Sequence, residues 1–228
     1  MAPFLSRGAF SLFRELLSWI LHLDQHLGDA ISWLGPWFYG LVFGVVFCET
    51  GLVITPFLPG DSFLFALGAL AGSQPEDLNI WILFPLLIVA AIAGDAVNYG
   101  IGRYIGPKIF SRETGWLMNK AHLIRAQKFY EKHGGKAIIL ARFLPIVRTF
   151  APFVAGIGEM NYGKFWIYNT VGGIAWVTLF LFGGYLFSNV EIVRKNFSLV
   201  ILAIILLSFL PVVYEWWKER KLRQTATE

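Results

Sequence analysis

FCETGLVITPFLPGDSFLFALGALAG, residues Phe47 to Gly72, and AIILARFLPIVRTFAPFVAGIG, residues Ala137 to Gly158, decide how this chain folds. Both are apolar enough to enter lipid, yet Glu49 and Asp61 lie in the first and Arg142 and Arg148 in the second. An ionisable group at bilayer depth is costly, so it is retained where it faces protein or trapped water and serves a site. Pro56 and Pro59 interrupt the first stretch, Pro145 and Pro152 the second. Each break frees backbone groups that lipid cannot satisfy, and such backbone survives only where it is buried or lines a cavity. The pattern predicts two re-entrant hairpins of broken helical arms, over residues 37–72 and 137–158, with their tips at a transport-type site.

Working outward, the whole chain is apolar: 56% of its 228 residues are hydrophobic, with 21 Phe, 9 Trp and a mean hydropathy of +0.59. That is more apolar surface than one soluble core of this length hides, so the chain reads as a single integral-membrane unit over 1–228. Arg14 and Glu15 precede an apolar run broken by His22, Asp24 and His26, so the start is expected to be retained rather than cleaved. Residues 10–34 carry polar groups at helical spacing and predict an amphipathic helix at the interface. Residues 80–105 predict a transmembrane helix holding Asp95, Asn98 and Tyr99 on one face. A second amphipathic helix is expected over 117–133, transmembrane helices over 165–187 and 197–217, and a charged cytoplasmic tail over 218–228. Cys48 is the only cysteine and is expected to be a small buried apolar residue.

The order of surface helix, broken hairpin and spanning helix occurs twice, and Phe57-Leu58-Pro59 matches Phe143-Leu144-Pro145 at the two breaks. Charge supports an orientation. Eight Lys/Arg lie between Arg103 and Lys136 and four after Trp217, whereas Ser73 to Asn79 has none. Cytoplasmic segments are the basic ones, so the first hairpin enters from outside and the second from the cytoplasm. The expected fold class is therefore an all-α integral membrane protein built as an inverted repeat, plus a C-terminal transmembrane helix. The N-terminal helix either lies on the outer surface or crosses, depending on whether residues 37–55 span. Trp37, Trp81, Trp166, Trp216 and Trp217 near segment ends read as interfacial anchors. Gly100, Gly102 and Gly106 follow no strand, which favours close helix packing over a dinucleotide loop.

FCETGLVITPFLPGDS, AGDAVNYGIGR, FYEKHGGKAIILARFLPIVRTFAPFVAG and the following NTVGG resemble the bacterial DedA membrane proteins, whose domain is shared with eukaryotic lipid scramblases. The resemblance runs from about Leu23 to the tail. Glu49, Asp61, Arg142 and Arg148 stand where that family has its functional charges, and Asp95 and Tyr99 match its G-D-x-x-x-Y pattern. The resemblance implies a multi-pass protein of the bacterial inner membrane. Its implied work is to return lipid carriers, notably undecaprenyl phosphate, across that membrane with proton coupling, in support of envelope lipid recycling. Other members resemble phospholipid flippases, so a phospholipid flippase or an energy-independent scramblase is the alternative.

The residues fit that implication chemically. Two guanidiniums offer planar, permanently charged forks for phosphate oxygens, so Arg142 and Arg148 are the candidate phosphate clamp. Helix ends at the breaks add backbone donors for the same anion. Glu49 and Asp61 are candidate proton-coupling or gating acids, because burial and a nearby arginine push a carboxylate's protonation in opposite directions. Asp95, Asn98, Tyr99, Pro59 and Pro145 are expected to support the site. The bland alternative is that acids and arginines pair only as structural ion bridges. No nucleophile and histidine pair falls within the membrane segments, so an enzyme is not expected. His22 and His26 lie one helical turn apart but lack a third strong ligand, so neither a metal nor another cofactor is expected. Expected partners are membrane lipids, a lipid phosphate and protons, with no nucleic acid, and a homo-oligomer is compatible with this reading.

Overall fold

The computed structural model describes residues 23–52, 60–110 and 134–191, together with 200, 203 and 204. Residues 10–22 of the first amphipathic helix lie outside the described residues. So do the 117–133 helix, almost all of the 197–217 span, the 218–228 tail, Pro56, Pro59, Trp216 and Trp217.

The described residues are helical and contain no strand. In chain order they form α1 (Leu23–Leu34), α2 (Trp37–Gly51), α3 (Gly60–Ser73), α4 (Ile80–Phe110), α5 (Lys136–Ala141), α6 (Pro145–Ile157) and α7 (Tyr162–Val177). A π-helical turn over Thr178–Phe182 joins α7 to α8 (Gly183–Phe187). Ile80–Ile105 and Tyr162–Phe187 are each 26 residues long, with mean hydropathies of 2.3 and 1.6. Both exceed the roughly 20 apolar residues that cross a hydrocarbon core. The second begins three residues before the sequence pattern suggested, because the Asn161 side chain caps α7 by accepting the Lys164 N–H at 3.2 Å.

Glycine opens each broken stretch. Gly35 and Gly134, at φ +52° and +59°, adopt the left-handed conformation that an added Cβ disfavours, turning the chain into α2 and α5. Pro145 sits at the start of α6, where a missing N–H costs nothing, and Leu144 before it is extended at φ −116° and ψ 106°. Pro152 breaks nothing: it lies inside α6, contrary to the expectation from sequence. It withholds only the α-helical donor that the Arg148 carbonyl would otherwise receive.

Packing follows an exchange rule. Helix α2 packs along α4 and α5 packs along α7, each the first arm on the long helix of its own half. The second arms cross over, with α3 packed against the π turn and α8, and α6 against α4. Both crossings use small residues that bring backbones close. At the first, Gly68 and Gly184 face Leu181 and Phe65 backbone; at the second, Gly102 and Gly156 face Phe153 and Tyr99 backbone. Gly100 has nothing within 4 Å, whereas Gly102 packs closely on Phe153.

The main core gathers Phe38, Val42 and Val46 of α2, Leu64 and Leu67 of α3, Leu83 and Leu87 of α4, and Trp176 and Leu181. A smaller cluster joins Tyr99, Ile138, Ala155 and Phe165. The edges of these clusters fix relative direction. Phe182 touches the rings of Trp81 and Phe84 near the start of α4, while Phe165 stacks on Tyr99 towards its end. The two long helices therefore run antiparallel. Trp37 and Trp81 are 80% and 72% exposed, as apolar anchors facing outward must be. Cys48 is exposed rather than buried: with Val46, Glu49 and Thr50 turned inward, the 100° step of an α-helix carries residue 48 to the outer face.

Candidate functional site

The two breaks meet through Arg148. It lies in the first turn of α6, the positive end of a helix dipole, where a cation is disfavoured unless anions face it. Two do. Its Nη1 donates to Asp61 Oδ1 at 2.8 Å and its Nη2 pairs with Glu49 Oε1, so the guanidinium bridges the end of α2 and the start of α3. Glu49 Oε1 also accepts the Gly60 N–H at 3.1 Å, satisfying one of the free donors at the start of α3. Gly60 is required there. A Cβ at that position would stand 2.6 Å from Arg148 Nη2 and closer still to the Glu49 carboxylate.

Trp176 of α7 completes this group. Its Nε1–H donates to Asp61 Oδ1 at 2.8 Å, and its ring lies under Arg148 with the guanidinium carbon 5.2 Å from the centroid. Glu49, Asp61, Arg148 and Trp176 are all buried, at 1%, 6%, 8% and 1% exposure. The second Glu49 oxygen, Oε2, is buried without a hydrogen-bond partner among the described residues.

Arg142, in the turn between α5 and α6, belongs to a different group. Its Nη2 pairs with Asp95 Oδ2 of α4 and with Asn169 Oδ1 of α7, and reaches the Ala91 carbonyl at 3.4 Å. Asn169 in turn donates to the Ile92 carbonyl at 3.0 Å. Arg142 thus lies between the two long helices, whereas Arg148 lies between the two breaks. Both nonetheless line one small cavity with Thr50, Asp95 and Trp176. Its volume of about 10 Å³ is close to the room one water molecule needs, so this closed arrangement admits no phosphate.

Each candidate site residue named from sequence has a definite place, except Pro59, which lies outside the described residues. Glu49 and Asp61 converge on Arg148, Asp95 on Arg142, and Pro145 starts α6. The two arginines do not form one symmetric fork, because each is held by its own set of partners, Arg148 by two acids and Arg142 by Asp95 with Asn169. Asn98 and Tyr99 do not hydrogen-bond Asp95. Asn98 Nδ2 instead donates to the Thr50 and Thr149 carbonyls at 3.1 and 2.8 Å, tying α2 and α6 to α4. Tyr99 donates its hydroxyl to the Met160 carbonyl. Sequence reasoning passed over Asn169 and Trp176. The usable signals were a lone carboxamide inside an apolar span and a tryptophan at mid-span rather than at an end.

A family model for the VTT domain matches residues 58–186, from the first break to α8. Protein DedA of Escherichia coli is 52% identical over 200 residues, covering 88% of this chain and 91% of that relative. The chain belongs to the DedA family. Within the family it is also similar to an uncharacterized membrane protein of Mycobacterium tuberculosis, 39% identical over 88% of this chain and 90% of that protein. The inner membrane protein YqjA of E. coli is 33% identical, over 77% of this chain and 79% of that protein. No solved structure matches the chain. This DedA-family chain is a membrane protein, and the VTT match covers Asp61, Asp95, Arg142, Arg148, Asn169 and Trp176, with Glu49 nine residues ahead of it.

Proposed function

We propose that this protein moves a lipid phosphate, undecaprenyl phosphate, across the bacterial cytoplasmic membrane in a proton-coupled cycle that recycles envelope lipid carriers, without acting as an enzyme. The observation that carries this reading is Arg148, a permanent cation from the second broken stretch, buried and held by carboxylates from the first. A phosphate monoester is the natural competitor for those carboxylates, since both offer oxygens to the same guanidinium fork. Exchange of one anion for another leaves the buried cation compensated throughout, which avoids the penalty of stranding it.

The acids supply the coupling. Glu49, Asp61 and Asp95 face Arg142 and Arg148, an excess of one negative charge when all are ionised. A proton on Glu49 or Asp61 weakens its hold on Arg148 and removes repulsion against an incoming phosphate. Protons and lipid phosphate then bind with mutual support, and the linkage is reciprocal.

An inverted repeat of two re-entrant hairpins fits the contacts. Tyr39 Oη accepts the Asn79 N–H at 2.8 Å, so α2 starts beside the start of α4. Thr50 and Gly51 lie beside Asn98 and Gly94 deeper in α4, and the six-residue turn after α3 leads back to Ile80. In the second half, the end of α6 lies by Tyr99 and Arg103, next to the start of α7. On this reading the first hairpin opens outward and the second towards the basic cytoplasmic side.

Reconstitution of the full chain into vesicles tests the reading. Undecaprenyl phosphate should cross faster than in empty vesicles and respond to an imposed pH gradient. Movement of phospholipid alone, or equal rates with and without the gradient, rejects the proton-coupled lipid-phosphate transporter in favour of a phospholipid flippase or a scramblase. Release of free phosphate would mean an enzyme.

A further inference from the structure

Trp176 is 1% exposed and sits mid-way along the second long helix, where neither interfacial anchoring nor plain packing explains its two polar contacts. Its indole N–H holds Asp61 and its ring face carries Arg148, so one rigid side chain touches both partners of the ion pair between the breaks. The backbone around it is adjusted to that task. Asn169, Gly172, Gly173 and Trp176 follow α-helical spacing towards the arginines, whereas Leu181, Gly184 and Ser188 face α3. The step from Trp176 to Leu181 has one residue more than an α-helical turn, and the π turn at Thr178–Phe182 supplies it. Without that residue the same helix could not both aim Trp176 at Asp61 and pack its end on α3.

We propose that Trp176 is the positioning residue for the exchange of carboxylate for phosphate at Arg148, a role that rests on the lipid-phosphate reading above. The ring keeps the guanidinium plane aimed into the cavity it shares with Arg142, which governs how well a phosphate is bound. The N–H gives Asp61 a donor when it lets go of Arg148, which governs how fast the exchange proceeds. The two contributions are separable because they belong to different parts of the indole.

The test uses the full chain in vesicles with undecaprenyl phosphate as the probe, measuring flipping rate against its mole fraction. Trp176→Phe keeps a ring face and removes the donor. Loss of a hydrogen bond to a charged group predicts a maximal rate about tenfold lower, with half-saturation within about twofold of the parent. Trp176→Gln keeps an N–H and removes the ring, so half-saturation rises about tenfold while the maximal rate falls less than in Trp176→Phe. Parent kinetics for Trp176→Phe, or the same loss in both parameters for both variants, overturns the proposal. A parent that moves no lipid phosphate defeats the transport reading instead. Trp176 is then judged in detergent, by mass spectrometry of phenylglyoxal modification at Arg148. Faster labelling in Trp176→Gln, with Trp176→Phe like the parent, supports ring support of Arg148; equal labelling in all three overturns it. If Trp176→Gln does not fold, Trp176→Leu replaces it in the labelling arm.

Discussion

Removing the guanidinium of Arg142 leaves Asp95, 2% exposed, without its counter-charge, and leaves Asn169 without the donor to its side-chain oxygen. Breaking a buried pair from one side costs about 3–5 kcal/mol, so Arg142→Met is expected to lose about that much stability. Asp95→Leu strands the guanidinium instead, but Asn169 and the Ala91 carbonyl still accept from it, which places that variant nearer 3 kcal/mol on the same scale. With both substitutions neither charge of this pair is left stranded. The remaining defect is the Asn169 oxygen, worth about 1–3 kcal/mol. The double variant should therefore lose less than the sum of the singles by about 3 kcal/mol, the upper end of the couplings that contacting residues reach. Unfolding in mixed micelles by an SDS titration, followed by tryptophan fluorescence, measures all three variants against the parent. Additive losses, with coupling under about 0.5 kcal/mol, would refute the claim that Arg142 and Asp95 form one buried ionic unit.

Arg148→Lys should transport at least about tenfold more slowly, because a point-charge ammonium cannot bridge Glu49 and Asp61 as a fork does; parent-like flipping would remove Arg148 from the clamp. Glu49→Gln and Asp61→Asn should each retain lipid-phosphate binding while losing the response to a pH gradient, and an unchanged gradient response in both variants excludes these acids as the coupling groups. Gly156→Leu should abolish folded protein in the membrane, since its Cβ would meet the Arg103 nitrogen at 2.8 Å, while Gly40→Leu, with nothing within 4 Å, should be tolerated; detergent-resistant folded yield compares them.

Much of this arrangement was legible because charge is conspicuous in an apolar chain. Glu49, Asp61, Arg142 and Arg148 stood out individually, and Pro145 marked where a helix begins. Pairing was not legible. Which acid meets which arginine depends on how α6 crosses α4 and α3 crosses α8, and those crossings are set by glycines whose partners are distant in sequence. Pro152 misled because a proline in a helix costs one hydrogen bond, which tertiary packing overrides, whereas Pro145 coincides with a helix start. Cys48 misled for a related reason: in a membrane protein, apolar residues face outward as readily as inward, so hydrophobicity no longer reports burial. Trp176 escaped notice because a buried indole looks like any other aromatic until its N–H is seen to have a charged partner.

The crossed packing has a consequence for biogenesis. Asp61 meets Arg148 only 87 residues later in the chain and Trp176 only 115 residues later, so at the ribosome the first broken stretch enters the membrane before either counterpart has been made. The nascent first half must hold Glu49 and Asp61 without Arg148, and its third helix lacks its main packing partner until residues 178–187 emerge. Each half thus buries a helix against the other. Two separately expressed halves, divided within residues 111–133, should therefore be degraded when made alone and should rescue one another when made together.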